Sequence, residues 1–235
     1  MSLIKYLSRL GYGSRREVTS LVAARRATDL TGAVLRDDSA WSHAGVLVDG
    51  VPLDPPPGSL VLLHKPVGYT CSSSDLPPLV YDLLPPRFRE RTPVLAPVGR
   101  LDRETSGLLL LTDDGALNHR LASPKRHVPR TYRAALAEDV GEDVPARFAS
   151  GTLRLKGEEQ PLRPAVLTRL GPREVEVTLT EGRYHQVRRM FAATGNHVIT
   201  LHRTAIGGLR LGALPVGQWR LVTTDERALL TGTPA

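Results

Sequence analysis

The stretch GRLDRETSGLLLLTDDG, residues 99–115, places a cluster of charged residues directly before an apolar run. The four leucines at 108–111 predict a strand buried on both faces, because such strands carry continuous apolar sequence. The segment before them contains Arg100, Asp102, Arg103 and Glu104. Taken alone, this aspartate can be a turn cap and the arginines ordinary surface charges. The stretch therefore predicts a core strand and leaves the purpose of its charges open.

Length and composition are those of an ordinary globular protein. The chain has 235 residues, 41% hydrophobic and 23% charged, so it can bury a substantial core in one or two domains. No apolar run approaches the ~20 residues of a membrane span, and the N-terminal sequence does not resemble a secretory signal. The single cysteine, Cys71, excludes an internal disulfide and a cysteine-rich zinc site. The cytoplasm is the expected location, and the motifs present predict neither a metal site nor a cofactor.

The charge of the chain favours a polyanionic partner. The formal net charge is +7, and nearly all of the 31 basic residues are arginines, which bind phosphate oxygens well. A general arginine bias of the genome is the alternative. However, residues 118–133 and 183–210 each contain five basic residues and no acid, whereas acids cluster at 138–143 and 156–159. A uniform bias does not predict this segregation, so we expect a nucleic-acid-binding surface.

The first 54 residues predict a small unit of their own. Apolar residues at helical spacing indicate a first helix that ends at Gly11, and Ser14 is a suitable N-cap for a second helix, RREVTSLVAARRA. A turn at TDLTG, residues 28–32, and a hairpin at Asp49-Gly50 follow. The proline-rich stretch after this hairpin predicts a linker at residues 55–59 and a larger unit at 60–235.

The sequence of the larger unit predicts more strands than helices, and hairpins recur along it. We therefore expect an α+β fold with a mixed, mostly antiparallel sheet flanked by helices. The strand candidates are residues 60–66, 108–112, 131–136, 174–180, 197–202 and 219–223, and the helix candidates are residues 115–122, 145–150 and 184–195.

The small unit resembles the S4 RNA-binding domain. The resemblance lies in the order helix, GYGSRRE, helix, turn and hairpin, and the TDLTG turn departs from the usual pattern. It implies an α/β module that binds structured RNA through phosphates and minor-groove edges. The alternative is a solvated basic helix face. The residues expected to bind RNA, all placed within the two helices, are Arg15, Arg16, Arg25 and Arg26.

The larger unit resembles the RsuA-like branch of pseudouridine synthases, which isomerise uridine in ribosomal RNA. Residues 99–115 match the pattern GRLDxxTSGLLLLTxDG almost continuously. HKPVGYTCS at 64–72, SPKRHVPRTYRA at 123–134 and the basic segment EGRYHQVRRM at 181–190 resemble further family motifs. With the S4-like unit, the resemblance extends over essentially the whole chain. It implies a two-domain rRNA-modifying enzyme that needs no cofactor.

The resemblance also implies roles for individual residues. Asp102 is the carboxylate that acts on the sugar or the base, as a nucleophile or by removing a proton, and Tyr132 stacks on the uracil. Arg188 is the cation that keeps this carboxylate ionised, while Arg189 faces the RNA or solvent. The residues expected to bind the extruded uridine are Arg100, Arg183, His185 and Gln186, and those expected to bind the surrounding RNA are Lys125 and Arg126.

The target RNA is the least determined part of this interpretation. His185 in EGRYHQVRR favours the small-subunit (16S) rRNA, since large-subunit relatives more often read EGRNRQVRR. A large-subunit (23S) enzyme is therefore an alternative, as are a non-catalytic ribosome-assembly factor and a DNA-binding regulator. The presence of Asp102 and Tyr132 favours catalysis, and the sequence contains no recognisable DNA-reading helix or coiled coil. We expect a monomer that acts on rRNA, free or in a partly assembled ribonucleoprotein particle.

Overall fold

A computed structural model describes residues 1–72 and 75–230, and its N-terminal part forms a small layer of helices on strands. Helices α1 (Leu3–Arg9) and α2 (Arg15–Ala23) pack on a three-stranded antiparallel sheet of β1 (Ala27–Thr28), β2 (Leu47–Val48) and β3 (Val51–Pro52). Ser14 caps α2 in a capping box with Glu17, as the sequence predicts. The Asp49-Gly50 hairpin is confirmed, since both residues adopt the positive φ that a tight two-residue turn needs.

Helix α2 ends earlier than the sequence analysis expects, which corrects the placement of two arginines. The helix stops at Ala23, and Arg25 has φ +60, a left-handed conformation that cannot continue a helix. Arg26 follows outside the helix and pairs with Asp49 through two hydrogen bonds of 2.7 and 2.6 Å. The prediction that Arg25 and Arg26 lie within helix α2 is therefore wrong.

The proline-rich segment after the hairpin is held by contacts to the rest of the chain. The guanidinium of Arg87 pairs with Asp54 at 2.5 Å, and that of buried Arg91 donates to the Pro55 carbonyl at 2.5 Å. Arg91 also pairs with the buried carboxylate of Asp113 at 3.4 Å, and this carboxylate accepts from the Gly58 amide. These contacts give the predicted linker a fixed course between the two units.

The large sheet carries the core of the chain. The strands follow the order β12-β4-β6-β10-β7-β9-β8, with β5 paired in addition to β6 and β11 to β10. Among the described strands, β6 and β10 alone pair in parallel. This architecture confirms the expected mixed, mostly antiparallel sheet. The strands are β4 (Leu60–Lys65), β5 (Ala96–Val98), β6 (Thr105–Thr112), β7 (Arg130–Leu136), β8 (Val166–Arg169), β9 (Glu174–Leu179), β10 (Val198–Ile206), β11 (Leu209–Arg210) and β12 (Trp219–Leu221).

Helices flank this sheet on segments that the sequence largely predicts. The helices are α3 (Gly115–Ala122), α4 (Val144–Ala149), α5 (Gln186–Ala192) and α6 (Thr224–Leu229). Helix α5 begins two residues later than the sequence predicts. No helix among the described residues is long and apolar enough to cross a bilayer. Strands β5, β8 and β11 and helix α6 were not predicted, and the predicted C-terminal end of the large unit, residues 231–235, lies outside the described residues.

One row of residues crosses four adjacent strands and prepares the site. The register pairs Lys65 of β4 with Gly107 of β6, Gly107 with Arg203 of β10, and Arg203 with Tyr132 of β7. Residues paired directly across strands project from the same face of a sheet. On this face, polar side chains therefore interrupt the apolar core at the end of β6 that follows Asp102.

Candidate active site

A cleft of about 280 Å³ opens at this end of the sheet. Its walls come from the segment before β6, from β7 and β10, and from the loop that leads into α5. It brings together six of the seven residues predicted to act on the uridine. These six are Arg100, Asp102, Tyr132, Arg183, His185 and Gln186.

The backbone around Asp102 is held by a buried lysine that the sequence analysis did not single out. The ammonium of fully buried Lys65 donates to the carbonyls of Pro66 at 3.0 Å, Asp102 at 3.1 Å, Arg103 at 3.3 Å and Thr105 at 2.8 Å. Burial lowers the pKa of this lysine. The available signal was a lysine at the end of the otherwise apolar strand LVLLHK. Three of these four contacts, to Asp102, Arg103 and Thr105, hold the segment that presents the carboxylate.

A second buried cation lies below the cleft, on β10. Arg203 is only 1% exposed, and its Nε donates to the Leu108 carbonyl at 2.8 Å. Gly107 makes this position possible, because its φ of +110 suits glycine and a Cβ there would collide with the Arg203 backbone. Within the described residues Nη2 of Arg203 has no hydrogen-bond partner. Arg203 was not predicted as a site residue, because its position depends on the parallel pairing of β6 and β10.

The carboxylate of Asp102 faces His185. Its Oδ1 lies 3.4 Å from Nε2 of His185, and both side chains are little more than one-third exposed. His185 has φ +50, so it turns the chain immediately before α5 and projects back into the cleft. The ring of Tyr184, which is 74% exposed, stacks on the His185 ring at 3.9 Å between centroids. The predicted helix start at residue 184 is wrong because of this left-handed turn.

Arg188 does not occupy the expected place beside the Asp102 carboxylate. Its guanidinium donates to the carbonyls of Val198 at 2.9 Å and Glu104 at 3.1 Å. Among the described side chains, the one within ion-pair distance of Asp102 is the imidazole of His185. Arg188 therefore contacts the backbone of the Asp102 loop, and the structure does not bring its charge against the carboxylate.

Arg189 also departs from the prediction, since it does not point freely to RNA or solvent. Its Nη1 pairs with Glu158 at 2.5 Å, and its Nη2 donates to the Lys156 carbonyl at 2.9 Å. Glu158 pairs in addition with Arg183, which is further held by Glu181 at 3.4 Å. Arg189 is therefore not free, because the Glu158 carboxylate lies between Arg183 and Arg189 and holds both against the 156–161 loop.

Gln186 closes the inner side of this network. Its Nε2 donates to Oε1 of Glu181 at 2.9 Å, and its Oε1 accepts from the Arg183 amide at 2.8 Å. Glu181 is 8% exposed and also accepts from the Arg163 amide at 3.0 Å. Arg183, His185 and Gln186 therefore line the cleft as part of a wall whose charges are already paired.

Tyr132 and Arg130 line the opposite side of the cleft from one strand. Tyr132 is half-buried and packs against two core clusters. Arg130 is 9% exposed, and its Nη2 donates to the Leu121 carbonyl at 3.2 Å. Arg130 was missed because the family motif drew attention to the tyrosine two residues later.

The predicted RNA-binding residues lie outside the cleft and at the surface. Lys125 and Arg126 are exposed in a short 3₁₀ helix, Pro124–Arg126, and Pro124 reaches the rim of the cleft. Arg15 and Arg16 are exposed at the first turn of α2. No group of three metal-ligating side chains occurs within residues 1–72 and 75–230.

Known proteins with similar sequence and fold define the class of this chain. Residues 59–193 match the family of RNA pseudouridylate synthases. The ribosomal small subunit pseudouridine synthase A of Escherichia coli (strain K12) is 44% identical over 187 residues, 78% of this chain and 79% of that protein. The protein of the same name from Yersinia pestis is 40% identical over 234 residues, 97% of each chain.

The fold points to the same class. A crystal structure of a pseudouridylate synthase superimposes with a TM-score of 0.68 at 35% identity, covering 98% of this chain and 99% of the other. The chain therefore belongs to the RNA pseudouridylate synthase family. The resemblance in residues 99–115 is confirmed at the level of the family, and the roles of single residues stay predictions.

Proposed function

We propose that this enzyme isomerises one specific uridine to pseudouridine in 16S small-subunit rRNA. The observation that carries the proposal is the cleft, which brings Asp102, Tyr132 and Arg100 together on a rigid backbone. The names of the relatives with 40–44% identity favour the small subunit over the large one. We propose further that the enzyme acts as a monomer in the cytoplasm, where its substrate is free rRNA or an assembling particle.

The reaction requires a carboxylate and a confined base. The N1–C1′ bond of uridine breaks, the uracil rotates, and a C5–C1′ bond forms while the proton of C5 is lost and N1 gains one. Asp102 can attack the sugar, attack the ring or remove a sugar proton, and each route needs a fixed carboxylate within reach of the nucleotide. The backbone contacts of Lys65 supply that rigidity.

The other cleft residues suit the handling of an extruded base. Tyr132 offers an aromatic face for the uracil and a hydroxyl near the position of C5. Arg100 lines the cleft with Asp102 and is exposed, so it can fill the place that the uridine leaves in the RNA stack. We propose that His185 holds the carboxylate until the nucleotide enters, since it faces Asp102 directly.

The S4-like unit would deliver the RNA to this cleft. Arg15 and Arg16 begin α2 with exposed side chains, and within the described chain no carboxylate pairs with either. Arg26 is a weaker candidate, because Asp49 already neutralises it. The proposed domains remain residues 1–54 for this unit and 60–235 for the catalytic one.

Pseudouridine mapping of both rRNAs, in cells with and without the gene, tests the target. Loss of one site in 16S rRNA is expected, whereas loss of a site only in 23S rRNA would refute the small-subunit assignment. The Asp102→Asn variant tests the catalytic role. It should release no tritium from RNA containing 5-tritiated uridine, while its affinity for that RNA stays within a few-fold. Undiminished tritium release would remove Asp102 from the mechanism.

A further inference from the structure

Arg130 is a buried cation that the proposed reaction does not yet use. It is 9% exposed, and the Leu121 carbonyl, at 3.2 Å from Nη2, is its one hydrogen-bond partner among the residues that the structure describes. None of the described carboxylates lies within ion-pair distance. Burial lowers the pKa of this guanidinium. A buried charge without a counter-ion destabilises the folded state, so a bound anion would stabilise it.

Two glycines leave the space around this guanidinium open. A Cβ added at Gly99 would lie 3.9 Å from Nη2 of Arg130, and one added at Gly182 would lie 3.9 Å from Nη1. Both glycines line the cleft, as does Arg130 itself. Any larger side chain at either position would extend into this space. The guanidinium is therefore buried in the wall but can be reached by a group that enters the cleft.

The charges that face Arg130 leave it without a partner from the protein. Arg203 is a second buried cation nearby, and its charge lowers the pKa of Arg130 further. Of the two cleft carboxylates, Glu181 is held by Gln186 and Arg183, and Asp102 faces His185. The floor of the cleft therefore has a local excess of positive charge next to Tyr132.

We propose that Arg130 binds a phosphate of the RNA backbone adjacent to the uridine that enters the cleft. This inference rests on the proposed function. The uracil carbonyls are neutral, whereas a phosphodiester supplies the missing negative charge and matches the planar fork of a guanidinium. Extrusion of a nucleotide rotates its backbone, so a flanking phosphate follows the base towards the cleft. Arg130 then contributes to the recognition of a flipped nucleotide over a stacked one.

The test uses the wild-type enzyme and short RNAs that contain the mapped uridine. One phosphate is replaced by a neutral methylphosphonate, either 5′ or 3′ of the uridine, or at a control linkage well away from it. Loss of one charge-assisted contact should lower kcat/KM about 10- to 100-fold for one of the two flanking linkages. The control linkage should have no comparable effect. Equal responses at all three linkages would overturn the proposal without any protein variant.

A protein variant assigns the effect to the residue. Arg130→Gln should lower kcat/KM on unmodified RNA by a similar factor and should no longer respond to the neutral linkage. Arg133→Gln is the matched control, since Arg133 lies on the same strand, is exposed and pairs with Glu174 at 2.6 Å. It should keep the full response. An Arg130→Gln enzyme that stays as sensitive as the wild type would also overturn the assignment.

The two proposals fail in different ways. Absence of turnover by wild-type enzyme on every unmodified rRNA fragment would refute the proposed function. Normal turnover with indifference to both flanking charges would leave that function intact and refute only the phosphate site.

Discussion

Replacement of Lys65 by Met tests whether backbone contacts to a buried ammonium set the position of the Asp102 carboxylate. The change keeps a long, flexible side chain in the same place and removes the charge and all its donors. Lys65 is the last residue of β4, and its ammonium reaches the Asp102 and Arg103 carbonyls in the loop that precedes β6 and the Thr105 carbonyl at the start of β6. We therefore expect a loss of both stability and turnover, with little change in RNA affinity.

The magnitude follows from the hydrogen bonds that are lost. Hydrogen bonds to a charged group contribute about 1.5–3 kcal/mol each, and Lys65 donates to four carbonyls with three protons. Relief of the desolvation penalty of a fully buried ammonium offsets several kcal/mol of this sum. The net cost to the free energy of unfolding should be about 2–4 kcal/mol. A carboxylate displaced by roughly 1 Å should lower kcat about 100-fold.

Denaturant unfolding gives the stability change, and single-turnover tritium release with the enzyme in excess over the RNA gives the rate of the chemical step. Leu63→Met is the matched control, because Leu63 is fully buried on the same face of β4, and a volume-conserving swap should cost less than about 1.5 kcal/mol without affecting kcat. If Lys65→Met folds and turns over within twofold of the wild type, the ammonium does not position the loop. Lys65→Arg should recover part of the stability lost in Lys65→Met, since its guanidinium can still donate to the same carbonyls.

Three further outcomes can be measured directly. The double variant Arg15→Ala, Arg16→Ala should reduce the slope of log K against log salt for RNA binding by about 1–2, and an unchanged slope would exclude these residues from the interface. Arg220 pairs with Glu226 at 2.6 Å, and hydrogen bonding from this arginine lowers the pKa of Glu226 from 4.5 to about 2. This surface pair should therefore contribute about 1 kcal/mol above pH 4.5 and progressively less towards pH 2, so Glu226→Gln and wild-type unfolding curves should converge in acid. Arg188→Lys should lower kcat at least tenfold at every pH, because lysine keeps the charge and cannot reach both backbone carbonyls; near-normal turnover would show that charge alone matters.

Local sequence pattern predicted most of the fold because its signals act over a few residues. The leucines at 108–111 form a fully buried strand, and the GALNHRLA segment forms α3 with Asp114 as its N-cap, as expected. Two predicted helix boundaries were wrong where a single residue adopts a left-handed conformation. Arg25 and His185 both have positive φ, and each displaces a helix boundary without any glycine to mark it. Strands β8 and β11 were missed because each is short and depends on its partner for pairing.

The sequence predicted those site residues that belong to a recognisable family motif, but it did not predict the contacts between them. The motif identified Asp102 and Tyr132, and the cleft brings them together. The guanidinium of Arg188 donates to the carbonyls of Glu104 and Val198 and does not pair with the Asp102 carboxylate. The sequence could not show this, because it does not tell which backbone carbonyls lie within reach of the side chain. Contacts of this kind join residues far apart in the chain and are set by the pairing of strands.

The position of the charged segment before β6 therefore depends on buried cations that lie elsewhere in the sequence. Lys65 holds the loop of Asp102 from β4, and Arg203 lies against Gly107 from β10. Both cations are buried and donate to backbone carbonyls, Lys65 within the Asp102 loop and Arg203 at Leu108 of β6, and neither pairs with the Asp102 carboxylate. In the proposed reaction, this arrangement would leave Asp102 available to a nucleotide that enters the cleft. A direct ion pair with either buried cation would have held the carboxylate equally well but would have competed with the substrate for it.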